Sequence, residues 1–216
     1  MIHIVRQEEP EEIIAWKKRF KNKNSGKKPS YEDINNCHRE KAILKQSLIK
    51  QQNSLCAYCC GSITEEQSHI EHIRPKGNPK YKEKSLEYDN ILASCNATKH
   101  ESFCGKAKGS KYDEDLFIDP YSVDCEEFFV YKPFSGEVVA ADGNERAKYT
   151  IELLNLNSPR LKNGRIEAYW ANEIDSMSIE ELILFSNQLK AGQITIPYID
   201  VIKYIVRERI NESRNK

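Results

Sequence analysis

The sequence predicts an α+β protein: a small metal-held module embedded in a mostly helical body, with an additional β-hairpin. Helical periodicity and capping residues occur in residues 1–52 and 144–216. Cysteine, histidine, glycine and proline concentrate in residues 53–115, and long periodic runs vanish there, as is typical of a metal-held module. In residues 116–143, two short strand-like segments flank a loop with proline and glycine, which predicts the hairpin.

The composition is that of a globular protein with a solvated surface. The chain has 216 residues, and its 33 basic and 33 acidic residues cancel. A net charge of zero argues against a nonspecific nucleic-acid coat, although the field at one site can still be basic. No apolar run is long enough to cross a bilayer, and the N-terminus lacks the apolar core and cleavage site of a signal peptide. We therefore expect a cytoplasmic protein without a membrane partner.

Two helices are predicted in the N-terminal region from their first turns. Pro10 precedes two glutamates and an apolar stripe that runs to Phe20, and proline and acidic residues both favour the start of a helix. Ser30, with Asp33 three residues later, forms a capping-box-like start. The second helix is expected to run over residues 31–52.

The later elements are predicted from their periodicity. Strands are expected at residues 126–131 and 137–141. Helices are expected at residues 145–154, 160–170, 178–191 and 197–212. The last helix is apolar over more of its perimeter than one buried stripe requires. We therefore expect an exposed apolar patch around Tyr204 and Ile205, which could dock a partner protein; in the alternative interpretation, these helices only give the small module a core.

Seven cysteines in a chain without a secretory signal favour metal binding over disulfides. A CxxC pair alone would also fit redox chemistry or simple burial, but a second, wider pair follows it, and four thiolates in two groups fit one tetrahedral zinc ion. The predicted ligands of a structural zinc ion are Cys56, Cys59, Cys95 and Cys104. Cys60 and His100 are the substitute candidates, and Cys37 and Cys125 are interpreted as core residues.

A second candidate site lies between the two cysteine pairs. Residues 68–73 alternate as a short strand, which places Glu71 and His72 on opposite faces. Phosphodiester hydrolysis needs a cation to offset the negative charge that develops on the phosphate, and a base to deprotonate water. Glu71 can coordinate Mg²⁺ or Mn²⁺, and His72 can act as the base because the ordinary pKa of histidine lies near neutral pH. In the alternative interpretation, His69 and His72 are structural or zinc-binding histidines.

The third feature is the segment from Asp89 to Cys95. Asp89 or Asn90 can open a helix, with Leu92 and Cys95 facing inward. Taken alone, Asn90 is a capping residue.

The order of these features over about residues 53–110 resembles the HNH, or ββα-metal, nuclease family. A CxxC pair, an acid–histidine pair, an Asn-Ile-Leu-x-x-Cys segment and a final cysteine follow one another. The resemblance implies a β-hairpin and a helix that clasp one catalytic divalent cation. It also implies that Glu71 binds the cation, that His72 is the general base, and that Asn90 is the family's site asparagine, a further candidate ligand.

A closer resemblance, to the PtuB-type HNH nucleases, runs through most of the chain. It rests on LCAYC at 55–59, IEHIRPK at 70–76, CGKAKG at 104–109, IDP at 118–120 and IELLNLN at 151–157. Those nucleases accompany retrons and the Septu anti-phage system. The resemblance therefore implies a role in prokaryotic antiviral defence and an ATPase partner of the PtuA type.

The chain departs from the family at the third metal position. The family usually has His or Asn one residue after the last cysteine, whereas this chain has Gly105, which cannot bind metal through a side chain. A substitute ligand is therefore expected, unless the cation keeps more water, and Asp119 is the candidate. The alternative interpretation of Asp119 is a turn residue before Pro120.

Two classes of function follow from the sequence. The first is an endonuclease that acts on DNA or RNA. The second is a non-catalytic, zinc-stapled module that binds protein or nucleic acid, in which Glu71 and His72 serve structure only. The acid–histidine pair followed by Asn90, inside a frame of four cysteines, favours the enzyme.

Overall fold

A computed structural model describes residues 1–214 of the protein. About half of the chain is helical when short 3-10 turns are included, and the strands form two separate antiparallel sheets of two strands each. The α+β class predicted from the sequence is confirmed. Among residues 1–214, none of the helices combines the length and the apolarity needed to span a bilayer.

Three helices form the N-terminal region: α1 (Glu11–Lys23), α2 (Tyr31–Asn35) and α3 (His38–Gln51). The Asp33 carboxylate accepts the Ser30 N–H at 2.7 Å, which is the expected capping contact. The single helix predicted over residues 31–52 is wrong. The Cys37 N–H donates to the Ile34 carbonyl at 2.8 Å, and the backbone of Cys37 leaves the helical region. Two successive asparagines precede this break, and their side chains favour turns over helix interiors because they compete for backbone hydrogen bonds.

The first sheet is a hairpin of β1 (Ser68–His72) and β2 (Ile91–Cys95), with Glu71 opposite Leu92 and His72 opposite Ile91. The helix expected from Asp89 or Asn90 is therefore wrong, because the chain becomes extended at Ile91 and pairs with β1. Short apolar runs fit a strand or a helix equally well by periodicity, and pairing with a neighbour decides between them. Helix α3 packs against both strands, and the short helix α4 (Cys104–Lys108) packs against β2.

The second sheet pairs β3 (Phe129–Lys132) with β4 (Glu137–Ala140). The first strand begins later than predicted, because residues 125–128 form a 3-10 turn. The predicted C-terminal helices are present as α5 (Glu145–Leu153), α6 (Pro159–Ala171), α7 (Ile179–Lys190) and α8 (Ile199–Arg214). Helix α5 packs against β4, whereas α8 packs against β3, α6 and α7.

The apolar residues of α8 belong to the core, so the predicted exposed patch is wrong. Ile205 is 8% exposed, and Tyr204 is half-buried with its ring 5.8 Å from that of Tyr131. The other apolar residues of α8 are also buried: Ile199, Val201, Ile202, Val206 and Ile210. The helix needs its wide apolar perimeter because it is covered by β3, α6 and α7 together.

Candidate metal and catalytic site

The sulfur atoms of the four predicted zinc ligands converge. The Sγ atoms of Cys56, Cys59, Cys95 and Cys104 all lie within 4.8 Å of one another, and those of Cys59 and Cys95 are 3.8 Å apart. A tetrahedral zinc ion with bonds of about 2.3 Å places its sulfur ligands about 3.8 Å apart. The cluster could therefore bind zinc. Among residues 1–214, it is the one group of three or more cysteine, histidine or acidic side chains close enough to share an ion.

Three separate elements supply the cysteines. Cys56 and Cys59 lie in a tight turn, in which the Cys60 N–H donates to the Cys56 carbonyl at 3.0 Å. Cys95 ends β2, and Cys104 begins α4. One ion would thus tie the turn, the hairpin and α4 together.

The other cysteines and His100 lie outside the cluster. Cys60 is buried but is not part of the group, and burial raises the pKa of its thiol well above the ordinary value. His100 is exposed. Cys125 is fully buried and Cys37 half-buried, consistent with core positions.

The Glu71 carboxylate faces α4 and has a different neighbour at each oxygen. Its Oε1 accepts a hydrogen bond from the Lys108 ammonium at 2.9 Å, and the same ammonium donates to the His72 carbonyl at 2.7 Å. Its Oε2 lies 3.5 Å from His69 Nε2. The Lys108 side chain is fully buried, whereas that of Glu71 is 10% exposed. Lys108 therefore holds Oε1 of Glu71, whereas Oε2 faces the His69 ring.

Sequence reasoning did not single out Lys108. A signal was available, because Lys108 lies four residues after Cys104, and this spacing places two side chains on the same face of a helix. If Cys104 faces the module, Lys108 must do so too.

The His72 imidazole is held on the other face of β1. Its Nε2 lies 2.9 Å from the Ser85 carbonyl oxygen, which can only accept, so Nε2 carries the proton and Nδ1 has the lone pair. The Tyr31 ring packs edge-on against the imidazole, with 4.6 Å between ring centroids. Burial lowers the pKa of His72 to about 4, outweighing the opposing effects of the Ser85 carbonyl and the Glu71 charge. The imidazole is therefore neutral at pH 7 and able to accept a proton, but it is a weaker base than the ordinary histidine that the sequence led us to expect.

Glu71 and His72 line an open cleft of about 390 Å³. Lys76 also lines it, with its ammonium 4.8 Å from the centroid of the Tyr31 ring and 3.1 Å from a Glu32 carboxylate oxygen. The cleft thus places a lysine cation near the acid–histidine pair, although the chain as a whole is neutral.

Asn90 is buried and its amide is fully engaged by the main chain. Its Oδ1 accepts the Arg74 N–H at 2.8 Å, and its Nδ2 donates to the carbonyls of Arg74 and Lys84 at 3.1 and 3.0 Å. These contacts fix the segment after β1 to the segment before β2. As placed, Asn90 positions the backbone beside Glu71 and His72, and its role as a ligand of the cation stays a prediction.

Asp119 is not among the residues that line the cleft of Glu71 and His72, and its role as the substitute ligand stays a prediction. Its Oδ1 accepts the Tyr121 N–H at 2.9 Å, which is the turn role before Pro120. Its main charged neighbours are Arg6, Arg74 and Asp89, and burial raises its pKa. Asp-Pro in the sequence fits a turn as well as a ligand, and the structure shows the turn contact.

The comparisons with known proteins point to one class, the HNH endonucleases. No protein-family model matches the chain. A protein of Vibrio cholerae serotype O1 biovar El Tor, described as "Retron Vc95 putative HNH endonuclease", is 29% identical over 178 residues, which cover 78% of this chain and 80% of the relative. A protein of Escherichia coli, described as "Retron Ec83 putative HNH endonuclease", is 27% identical over 189 residues, with coverages of 67% and 73%. These two relatives support an HNH endonuclease family for this chain.

Proposed function

We propose that this protein is a metal-dependent HNH endonuclease that hydrolyses phosphodiester bonds in a retron-type antiviral defence system. The observation that carries the proposal is the arrangement of Glu71 and His72 on β1. The two side chains are held on opposite faces of one strand by unrelated contacts, yet both line the same cleft. The two retron relatives support the same activity and setting.

His72 is the proposed general base. Its Nδ1 lone pair accepts the proton of the attacking water, and the Nε2–H bond to the Ser85 carbonyl steadies the ring and the imidazolium that forms. Tyr31 limits ring rotation by its edge contact. The Asn90 amide keeps the adjacent backbone in place, which is a positioning role.

Glu71 is the proposed ligand of the catalytic cation. Its Oε2 is the free oxygen, since Lys108 takes the hydrogen bond at Oε1. A carboxylate oxygen suits Mg²⁺ or Mn²⁺, and such a cation would stabilise the negative charge that develops on the phosphate. Lys76, at the same cleft, is placed to contact a phosphate of the substrate.

The cysteine cluster is the proposed structural zinc site. Its sulfur spacing fits zinc, and a zinc ion there would hold α4, and with it Lys108, against β1. Zinc would thus support the site without touching the substrate.

An ATPase partner of the PtuA type is proposed on the PtuB resemblance alone. The apolar residues of α8 that were expected to form a docking surface for this partner are buried within the chain.

The test compares cleavage of plasmid DNA and of RNA by the wild-type protein, by His72→Ala and by His100→Ala, with Mg²⁺ or Mn²⁺ and with EDTA. Loss of a general base lowers the rate on the order of 10²–10⁴-fold. The matched control removes an exposed imidazole from the same module and should leave the rate unchanged. Equal, EDTA-insensitive cleavage by all three proteins would contradict the proposal. Binding of nucleic acid or protein without any cleavage would favour the non-catalytic, zinc-stapled module.

A further inference from the structure

We propose that His69 is the second protein ligand of the catalytic cation, beside Glu71. This inference rests on the proposed function, because it extends the same cation site. One carboxylate oxygen alone is a weak anchor for a divalent ion, which prefers several ligands in a fixed geometry.

The surroundings of Gly105 mark the position of the missing ligand. A Cβ atom added at Gly105 would lie 2.6 Å from Glu71 Oε2 and 2.8 Å from His69 Nε2. Residue 105 therefore faces the point where the carboxylate and the imidazole meet. Because glycine has no side chain, it leaves this space to the ring of His69.

A hydrogen-bond chain sets the orientation of the His69 ring. His69 Nδ1 lies 3.1 Å from Asn96 Oδ1, and the orientation of the Asn96 amide follows from its Nδ2, which donates to the Glu66 carbonyl at 3.0 Å. Asn96 Oδ1 can only accept, so Nδ1 carries the proton. In the neutral ring, the Nε2 lone pair then points to Glu71 Oε2. Metal-binding histidines characteristically donate their other N–H to such a partner.

The separation between His69 Nε2 and Glu71 Oε2 is too long for a charge-assisted hydrogen bond, and a closer approach of about 0.5 Å would let both atoms bind one octahedral ion. His69 Nε2 and Glu71 Oε2 are 3.5 Å apart, whereas a charge-assisted hydrogen bond between them would be about 2.7–2.9 Å long. Two ligand atoms at about 2.1 Å from one ion are about 3.0 Å apart in octahedral and about 3.4 Å apart in tetrahedral geometry. The His69 side chain is 34% exposed, which leaves the ion a path from solvent.

The experiment measures Mn²⁺ binding to the zinc-loaded full chain, by electron paramagnetic resonance of free and bound ion. Electron spin echo modulation then reports whether a nitrogen atom coordinates the bound Mn²⁺. Loss of a hydrogen-bond partner of a metal ligand costs about 10–100-fold in metal affinity, so Asn96→Ala should weaken binding within that range. His69→Ala should weaken it at least as much and abolish the nitrogen signal. His100→Ala should match the wild type in both measurements.

A second variant tests whether His69 and residue 105 compete for one position. The backbone of Gly105 lies within α4 and accepts any residue, but a Cβ there would lie 2.6 Å from Glu71 Oε2, so the Glu71 carboxylate must move aside to admit asparagine. The double variant His69→Ala, Gly105→Asn should bind Mn²⁺ more tightly than His69→Ala, without a nitrogen signal. A double variant that binds no better would overturn the claim of a shared position.

The outcomes separate this inference from the proposed function. If His69→Ala keeps both the Mn²⁺ affinity and the nitrogen signal while the wild type cleaves nucleic acid, His69 is only an ion-pair partner of Glu71 and the inference is wrong. A wild-type protein that cleaves but shows no nitrogen ligand would overturn it equally. If the wild type neither binds Mn²⁺ nor cleaves, the proposed function fails as well.

Discussion

Replacing Lys108 with methionine should destabilise the protein more than the same replacement of Lys106, the other lysine of α4. The Lys108 ammonium is fully buried and is held by Glu71 Oε1 at 2.9 Å and by the His72 carbonyl at 2.7 Å. Methionine keeps most of the side-chain volume, so the variant removes the charge and two hydrogen bonds and leaves little cavity. A largely buried carboxylate then has lost its counter-ion.

The expected loss follows from the burial of the pair. Breaking a buried ion pair by removing one partner costs about 3–5 kcal/mol, because the remaining charge is uncompensated. Glu71 is 10% exposed and can regain some hydration, so we expect a value near the lower end, about 3 kcal/mol. The double variant Lys108→Met, Glu71→Gln should recover part of this loss, because no charge is then left buried.

The assay is urea unfolding of zinc-loaded protein at constant zinc and without added Mg²⁺ or Mn²⁺. Lys106→Met is the matched control, since Lys106 lies in the same helix but is exposed. Exposed substitutions usually change stability by less than about 0.5 kcal/mol. If Lys108→Met costs no more than Lys106→Met, the buried pair is not what holds α4 on β1.

Two further predictions concern the proposed zinc site and the packing of Gly164 in α6 against Tyr198. Cys104→Ser should lose the bound zinc and unfold residues 53–115, because metal binding supplies folding free energy to such a module, whereas Cys37→Ser should keep one zinc per chain by elemental analysis. Retention of zinc by Cys104→Ser would count against the site. Gly164→Ala should destabilise the protein by about 1–3 kcal/mol in thermal or urea unfolding, because the added methyl group would overlap the Tyr198 ring. Gly77→Ala meets no neighbouring atom and should be close to neutral, so equal effects of the two would refute the packing argument.

Local sequence patterns were enough to predict the C-terminal helices and the convergence of the four cysteines. The caps and periodicity of the C-terminal region predicted its helices to within a few residues. The spacing of the cysteines predicted that four thiols converge, and the structure confirms their convergence. This was predictable because thiols grouped in two pairs in a chain without disulfide signals have few uses other than a metal site. The catalytic roles of Glu71 and His72 stay predictions, although both residues line one cleft.

The tertiary structure decided what depends on partners distant in sequence. Residues 91–95 form a strand because β1 lies beside them, and the apolar perimeter of α8 is covered because three elements pack on it. Periodicity cannot identify these packing partners, because it describes only the order of apolar and polar residues within one segment. For the same reason, only the structure showed that the Asp119 carboxylate accepts a hydrogen bond within its own turn and that the His69 ring lies beside Glu71 at the space left by Gly105. The sequence showed that position 105 has no side chain to bind a metal ion. Only the packing of α4 beside β1 showed that the imidazole next to this position is that of His69.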